Sequence, residues 1–301
     1  MSDADERRIA RAYRDASRIL GKAALSDQIV RALRGGSPAD AVGLLPWERF
    51  AAEMEKVQPI IAQEVLAAGA RAGGTVLRTN MSAFRFDRTD PRALAAAELQ
   101  SGRLVTSVTD NTRVAVNRIV TRAFRDQVTV DQTARLLREV VGLTPGQAGA
   151  VQNTETRVYQ QLVNDGHSDA FARRRARTLS QQQATRLHSQ RAMSIARTEI
   201  NRAQGAGRWM GWVQAEDAGL VDMDTYGKRW HALPDACAIC SDNASASPVP
   251  AKHEWLHGGV MNPAHPNCRC SCTLIPPGYG GWSPPTSRTR MPAADADLVA
   301  Y

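Results

Sequence analysis

For its first 236 residues the sequence contains no cysteine. It also lacks an apolar run approaching the ~18 residues of a membrane-spanning helix, so no span is expected. The opening stretch MSDADERRIARAYRDASR is charged and has no apolar core, which argues against a secretory leader there. No GxxxxGK[ST] occurs, so the usual phosphate-cradling loop of nucleotide hydrolases is excluded. The zinc-deaminase pattern, H-x-E followed by P-C-x-x-C, is missing too: Glu254 directly follows His253, and Ala236 precedes Cys237. Aromatic residues make up only 5% of the chain, while hydrophobic residues reach 43%. A core is affordable, but it must be built mainly of Ala, Leu, Val and Ile. Internal repeats and sustained heptads are absent, which removes solenoids and long coiled coils.

What is present is uneven. The net charge is +8 over 301 residues. Residues 206–301 carry seven Lys/Arg against nine Asp/Glu, and residues 1–205 carry 31 against 21. A basic N-terminal part suits a polyanion such as DNA, although the arginines are spread out rather than gathered into a stripe. Arg173, Arg174, Arg175 and Arg177 form the one dense cluster.

The N-terminal part reads as helix. Ile9, Tyr13, Ala16 and Leu20 recur at helical spacing in a helix expected over 3–34, ended by Gly35-Gly36-Ser37-Pro38. A second helix is expected over 46–71, kinked or interrupted by Pro59. Residues 72–90, with the segment MSAFRF, read as a connector, and Pro91 opens a long helix to about 126. Asp131 is placed to cap a short helix ending before Gly142. Thr144, Pro145 and Gln147 have the N-cap, N1 and N3 chemistry of a capping box for a helix to Asn164. A last long helix is expected over about 180–213, its inner face made of Ala192, Ile195, Ala196, Ile200, Ala203 and Ala206. Strands are expected at KRWHAL (228–233) and CRCSCTLI (268–275), the second placing Cys268, Cys270 and Cys272 on one face. The fold expected is therefore mainly α, with an elongated N-terminal helical region (1–90), a helical core (91–219), a small α+β Cys/His module (220–277) and a flexible Pro/Gly-rich tail (278–301).

All five cysteines lie in the stretch 237–272, with His253, His257 and His265 among them and His231 just before. In a reducing compartment, cysteines clustered this way act more often as metal ligands than as disulfides. Cys237-x2-Cys240 allows two thiolates to meet one ion, and His265-x2-Cys268 supplies a second pair after a gap of 24 residues. That pattern fits a closed, four-ligand structural zinc site. The ligands expected are Cys237, Cys240, His265 and Cys268, with Cys270 the alternate and Cys272 the spare. A catalytic zinc keeps a position open for water, and here ligands are in surplus. His257, Asn262 and His265 superficially resemble an HNH nuclease, but too tightly spaced for its hairpin and helix. Glu199 has Arg202 three residues on, the spacing of an ordinary helical ion pair.

Four segments then resemble, in order, one family: LTPGQAGAVQNTETRVYQQLVNDG (143–166), AMSIARTEINRAQGAGRWMGW (192–212), KRWHALPDACAIC (228–240) and NPAHPNCRCSCTLIPP (262–277). Together they look like the minor head, or head morphogenesis, proteins of tailed phages, the Mu protein F-like family. The helix bearing Arg197-Thr198-Glu199 and the closing HPNCRC are the most specific parts. Only some members have the CxxC pair, so the metal expectation rests on the residues themselves. The resemblance implies a non-enzymatic structural role: a minor capsid component, made in the host cytoplasm and placed inside the virion near the portal. Its implied partners are the portal protein, the major capsid or scaffold proteins and, as in some members of the family, packaged double-stranded DNA, with no membrane. The competing expectation is a zinc-dependent nuclease or other DNA-processing enzyme; a third is a DNA-binding protein unrelated to virions.

Overall fold

The computed structural model describes residues 3–72, 84–125 and 129–284. These residues are mainly helical, with one small sheet near the C-terminal end. Contacts gather into two compact units, each drawing on two stretches of chain: 1–56 with 105–193, and 57–104 with 194–301. This grouping cuts across the consecutive segments expected from the sequence.

In the first unit, α1 (Asp3–Ala23) and α2 (Asp27–Arg34) replace the single helix expected over 3–34. Ser26 breaks it: its backbone is extended and its hydroxyl accepts from Ile29 N, so it starts a new helix rather than continuing the old one. Ser37 repeats the device for the short α3 (Pro38–Gly43). α1 buries Ile9, Tyr13, Ala16 and Leu20 and packs on α4 (Trp47–Glu55) and α7 (Val130–Val140). Tyr13 is wholly buried, with Phe50 edge-on at 6.3 Å. Its hydroxyl donates to Gly142 O and accepts from Arg191 Nε at 2.9 Å, so both its polar needs are met. Gly142 sits at φ 91°, and a Cβ there would overlap the Ser17 hydroxyl, so the turn after α7 requires glycine. α7 is capped by Thr129 in a capping box with Gln132, not by Asp131, which lies in the first turn. Thr129 precedes the helix with extended backbone, where a side chain can reach back to the third amide. The box expected at Thr144 and Gln147 is present and opens α8 (Pro145–Asn164).

In the second unit, α5 (Gln58–Ala70) begins where Pro59 breaks the helix expected over 46–71. Two helices run through both contact groups: α6 (Pro91–Arg125) and α9 (Asp169–Asp217). The latter is 49 residues long and starts eleven residues earlier than expected. The sequence 169–179 is rich in arginine and has little apolar face, so periodicity misses it, whereas arginine favours helix. Leu94, near the start of α6, is exposed. The connector is described only from residue 84; there Asp87 N donates to Gln214 Oε1 at 2.8 Å, and Gln214 Nε2 returns a bond to Asp87 O at 3.0 Å.

The sheet has order β2-β1-β3, all antiparallel: β1 (Gly227–His231) is central, β2 (Val249–Pro250) short, and β3 (Ser271–Ile275) long. The second strand expected from the sequence began at Cys268; the structure starts it at Ser271, because residues 265–268 form a turn. α10 (Ala238–Ala246) lies between β1 and β2 in sequence and contacts β1. Trp212, Met223, Trp230, Trp255, Leu274 and the four buried cysteines share one apolar cluster. The tail is anchored at Trp282, which is buried against Gly227 and whose indole N–H donates to Thr225 O at 2.9 Å. The remainder of the expected flexible tail, 285–301, lies outside the described residues.

Candidate metal centre

Cys237 is the N-cap of α10, and Cys240 lies in its first turn. The CxxC spacing thus becomes one helical turn, with both cysteines at the N-terminal end of the helix. His265 and Cys268 come together differently. Cys268 N donates to His265 O at 3.2 Å, closing a tight turn, and Asn267 occupies it with φ 62°. Asparagine is among the few side chains that tolerate this left-handed backbone, so HPNC is itself a turn sequence.

These two local structures place the His265 Nε2 atom 3.2 Å from Cys237 Sγ and 3.0 Å from Cys240 Sγ, with Cys268 Sγ 3.7 Å from Cys240 Sγ. The opposite ring nitrogen, Nδ1, donates to Pro266 O at 2.8 Å. That bond fixes the tautomer and leaves the Nε2 lone pair facing the sulfurs, as a metal-binding histidine requires. Among the described residues two groups can hold a metal ion: Cys237, Cys240 and His265, and the buried Cys240, Cys268 and Cys270. Cys240 belongs to both. The ligands expected from spacing are thus divided: Cys237, Cys240 and His265 lie in one group, whereas Cys268 joins Cys240 and the alternate, Cys270, in the other, and neither group holds all four. For a tetrahedral zinc, bond lengths of about 2.3 Å to sulfur and 2.0–2.1 Å to nitrogen imply sulfur–sulfur separations of about 3.8 Å and sulfur–nitrogen separations of about 3.6 Å. The sulfur pair already has that spacing; the histidine sits somewhat closer, at hydrogen-bond distance.

Burial pushes the Cys240 thiol well above its ordinary value, with Cys270 and Cys268 adding to the rise, and burial raises Cys270 as well. A cluster of this kind holds its protons until a cation displaces them, because a bound metal inverts the local preference. The Trp230 and Trp255 indole N–H groups are buried with no hydrogen-bond partner among the described residues; each tempers the rise of a neighbouring thiol, Trp230 at Cys270 and Trp255 at Cys272. Cys272 is in neither metal group; burial pushes its thiol up to about 11.

The ligand loop is fastened to α9 by groups for which the sequence suggested no such role. Thr198 Oγ1 accepts from Asn267 N at 2.8 Å while donating to Ser194 O at 2.7 Å. Asn201 Nδ2 donates to Cys268 O at 2.7 Å, and Asn262 Nδ2 donates back to the Asn201 side chain and, at 3.2 Å, to its carbonyl. Arg208 Nη1 donates to Asn262 Oδ1 at 3.1 Å. A Cβ at Gly205 would overlap Asn262 O, so the loop reaches the helix only because that residue is glycine. Thr198, Asn201, Gly205 and Arg208 follow a 3-4-3 spacing, one face of the helix; that spacing is the signal that could have found them. Glu199 makes the expected pair with Arg202, at 2.6 and 2.7 Å.

Of the other histidines of the module, His253 is exposed, and His231 and His257 are engaged elsewhere. His231 Nε2 lies 2.7 Å from Thr273 Oγ1, and His257 Nε2 lies 3.1 Å from Asp242 Oδ2. Asn262, buried at Asn201, does not share those partners, so the three residues of the nuclease-like pattern serve three different contacts. A further polar group escaped the sequence reading: Lys228 is fully buried, its ammonium 5.0 Å over the Trp255 ring, donating to His253 O and, at 2.6 Å, to Val260 O. It ties the 253–260 loop to β1, and burial pushes its pKa down to about 7. Comparison of the chain with family models, with curated proteins and with solved structures finds no match in any of the three.

Proposed function

We propose that this protein is a structural, non-catalytic minor component of a tailed-phage head, and that its Cys/His module is a zinc staple. Cys237, Cys240, His265 and Cys268 are the ligands in this reading, with Cys270 in reserve beside them. When bound, zinc supplies cross-linking of α10 to the 265–268 turn. The observation that carries the reading is the bonding between the two resemblance-bearing motifs. Thr198 and Asn201 on the RTE helix are spent on Asn267 N and Cys268 O, so the polar groups of both motifs act as fasteners. A surplus of closed, buried sulfur ligands fits the same role, since a reaction at zinc needs an open coordination position.

The partners in this reading are the portal protein, the major capsid or scaffold proteins, and packaged double-stranded DNA. Among the described residues no helix is long and apolar enough to cross a membrane. Mass spectrometry of purified phage heads, with a cryo-EM map of the same particles, tests the assignment: the chain should be present at the portal vertex. Its absence from heads refutes it. Metal-dependent DNA cleavage that disappears in a folded His257→Ala variant puts the nuclease reading in its place.

A further inference from the structure

The first unit carries 23 Lys/Arg against 16 Asp/Glu, nearly all of the chain's positive excess. Within that unit a groove of about 620 Å³ runs between α1, α7 and α9, walled by Arg14, Arg18, Arg138, Arg177, Glu139 and His188. Four guanidinium groups from three helices thus face one cavity that contains a single carboxylate. That carboxylate is engaged: Glu139 Oε1 accepts from Gln181 Nε2 at 2.9 Å and lies 4.0 Å from Arg177 Nη2. Arg18 is paired with Asp15 at 2.7 Å, whereas Arg14 and Arg138 have no ion-pair partner among the described residues.

The α9 wall includes residues 177, 181, 184, 185, 188 and 189, one face of the helix and about 18 Å long at 1.5 Å per residue. Ser189 adds a hydroxyl along it, Thr185 giving its own proton to Gln181 O at 3.0 Å, and Arg173, Arg174 and Arg175 continue the positive charge beyond Arg177. A single small anion calls for donors converging on one point. Here they are strung along a trough, and arginine forks match phosphate oxygens two at a time. At about 3.4 Å of duplex axis per phosphate on one strand, the trough is long enough for about five.

We infer that this groove is a binding site for the phosphodiester backbone of duplex DNA, with Arg14 and Arg138 as its principal phosphate ligands. The inference deepens the partner side of the function proposed above. It depends on neither the metal centre nor a place in the head: failed binding leaves head association standing, and absence from heads leaves a measured DNA affinity standing.

The test is fluorescence anisotropy of a labelled mixed-sequence duplex of about 30 base pairs with the full chain, across 50–200 mM salt. Each backbone contact contributes about 0.9 to the slope of log K against log salt, so Arg14→Gln/Arg138→Gln should flatten it by about 2 and weaken binding at 50 mM on the order of a hundredfold. Arg49→Gln/Arg157→Gln removes the same charge from exposed positions of the same unit outside the groove and should change the slope by less than 1. Thr185→Glu, exposed on α9, should weaken binding without touching any arginine, which covers the case where the double variant fails to fold. No binding by the wild type at 50 mM salt overturns the inference, as do equal losses in the two arginine pairs. Displacement of the DNA by polyglutamate at matched charge, or by inorganic phosphate at matched phosphate, also overturns it, because either would mean the groove does not read a phosphate backbone.

Discussion

Replacing Asn201 with leucine tests whether α9 sets the geometry of the metal centre. Asn201 is 4% exposed, and its side chain joins two buried groups, donating to Cys268 O and accepting from Asn262 Nδ2. Leucine has similar volume and can do neither. Cys268 O then loses the Asn201 side-chain donor, while Asn262 keeps the weaker bond to the Asn201 carbonyl at 3.2 Å. A buried polar group left unmatched costs about 1–3 kcal/mol, so one full loss and one partial loss give about 2–4 kcal/mol. The carbonyl in question belongs to a ligand residue, so the penalty should also appear as weaker metal binding. Loss of a bond that orients a ligand typically lowers metal affinity about 10–100-fold. Chelator competition reads the affinity, and urea denaturation followed by tryptophan fluorescence reads the stability. Asn201→Asp sharpens the test: a carboxylate still accepts from Asn262 but cannot donate to Cys268 O, so it should share the affinity loss. The reasoning fails if both variants fold and bind metal with wild-type affinity.

Cys240→Ser should abolish metal binding outright, since Cys240 belongs to both ligand groups, whereas Cys272→Ser should keep about one zinc per chain; elemental analysis after purification under reducing conditions decides. Cys268→Ser should lose more affinity than Cys270→Ser, because Cys268 has the 3.7 Å contact to Cys240 and the bonded turn to His265; the reverse order would make Cys270 the fourth ligand. Thr144→Ala removes the Oγ1 acceptor of the α8 capping box, leaving only the bond from the residue-144 backbone N–H to Gln147 Oε1, and should cost about 1 kcal/mol in thermal or urea unfolding. Lys228 gives a pH signature. Its folded pKa is lowered to about 7, so between pH 7 and the onset of thiol ionisation near 9 the unfolded chain holds a proton that the folded chain has released. Stability attributable to this group must therefore rise with pH across that window, by at most about 1.4 kcal/mol per pH unit. Lys228→Met keeps the aliphatic stem and should lose that rise relative to wild type; parallel stability–pH curves for the two proteins would show that the lysine is not held in this way.

The sequence is legible where physics is local. The Thr144 capping box involves residues three apart, Cys237 and Cys240 occupy one helical turn, and His265 and Cys268 one tight turn, so spacing alone carries each. The same logic misplaced Asp131, because Thr129 two residues earlier offers the same chemistry and only the backbone decides which is the cap. It also over-extended the C-terminal strand. Alternation in CRCSCTLI is genuine as burial, since Cys268, Cys270 and Cys272 are all buried and Arg269 is exposed, but alternate burial does not require strand hydrogen bonds.

What stayed illegible is non-local. Lys228 looked like one charge in an alternating strand; its burial depends on carbonyls 25 and 32 residues away that draw the ammonium inward. Asn201 looked like a solvated polar residue on a helix of small residues, and its partners lie 61 and 67 residues further on. A polar side chain on a helix surface has a ready partner in water, so nothing in its own neighbourhood marks it as buried. The glycine at 205 is the exception that could have revealed the face: small residues beside Thr198 and Asn201 leave room for a backbone, and an approaching backbone needs hydrogen-bond donors and acceptors to meet it. Cysteine spacing therefore identifies what closes the module on itself, and the Thr198–Asn201–Gly205 face identifies what the module closes onto.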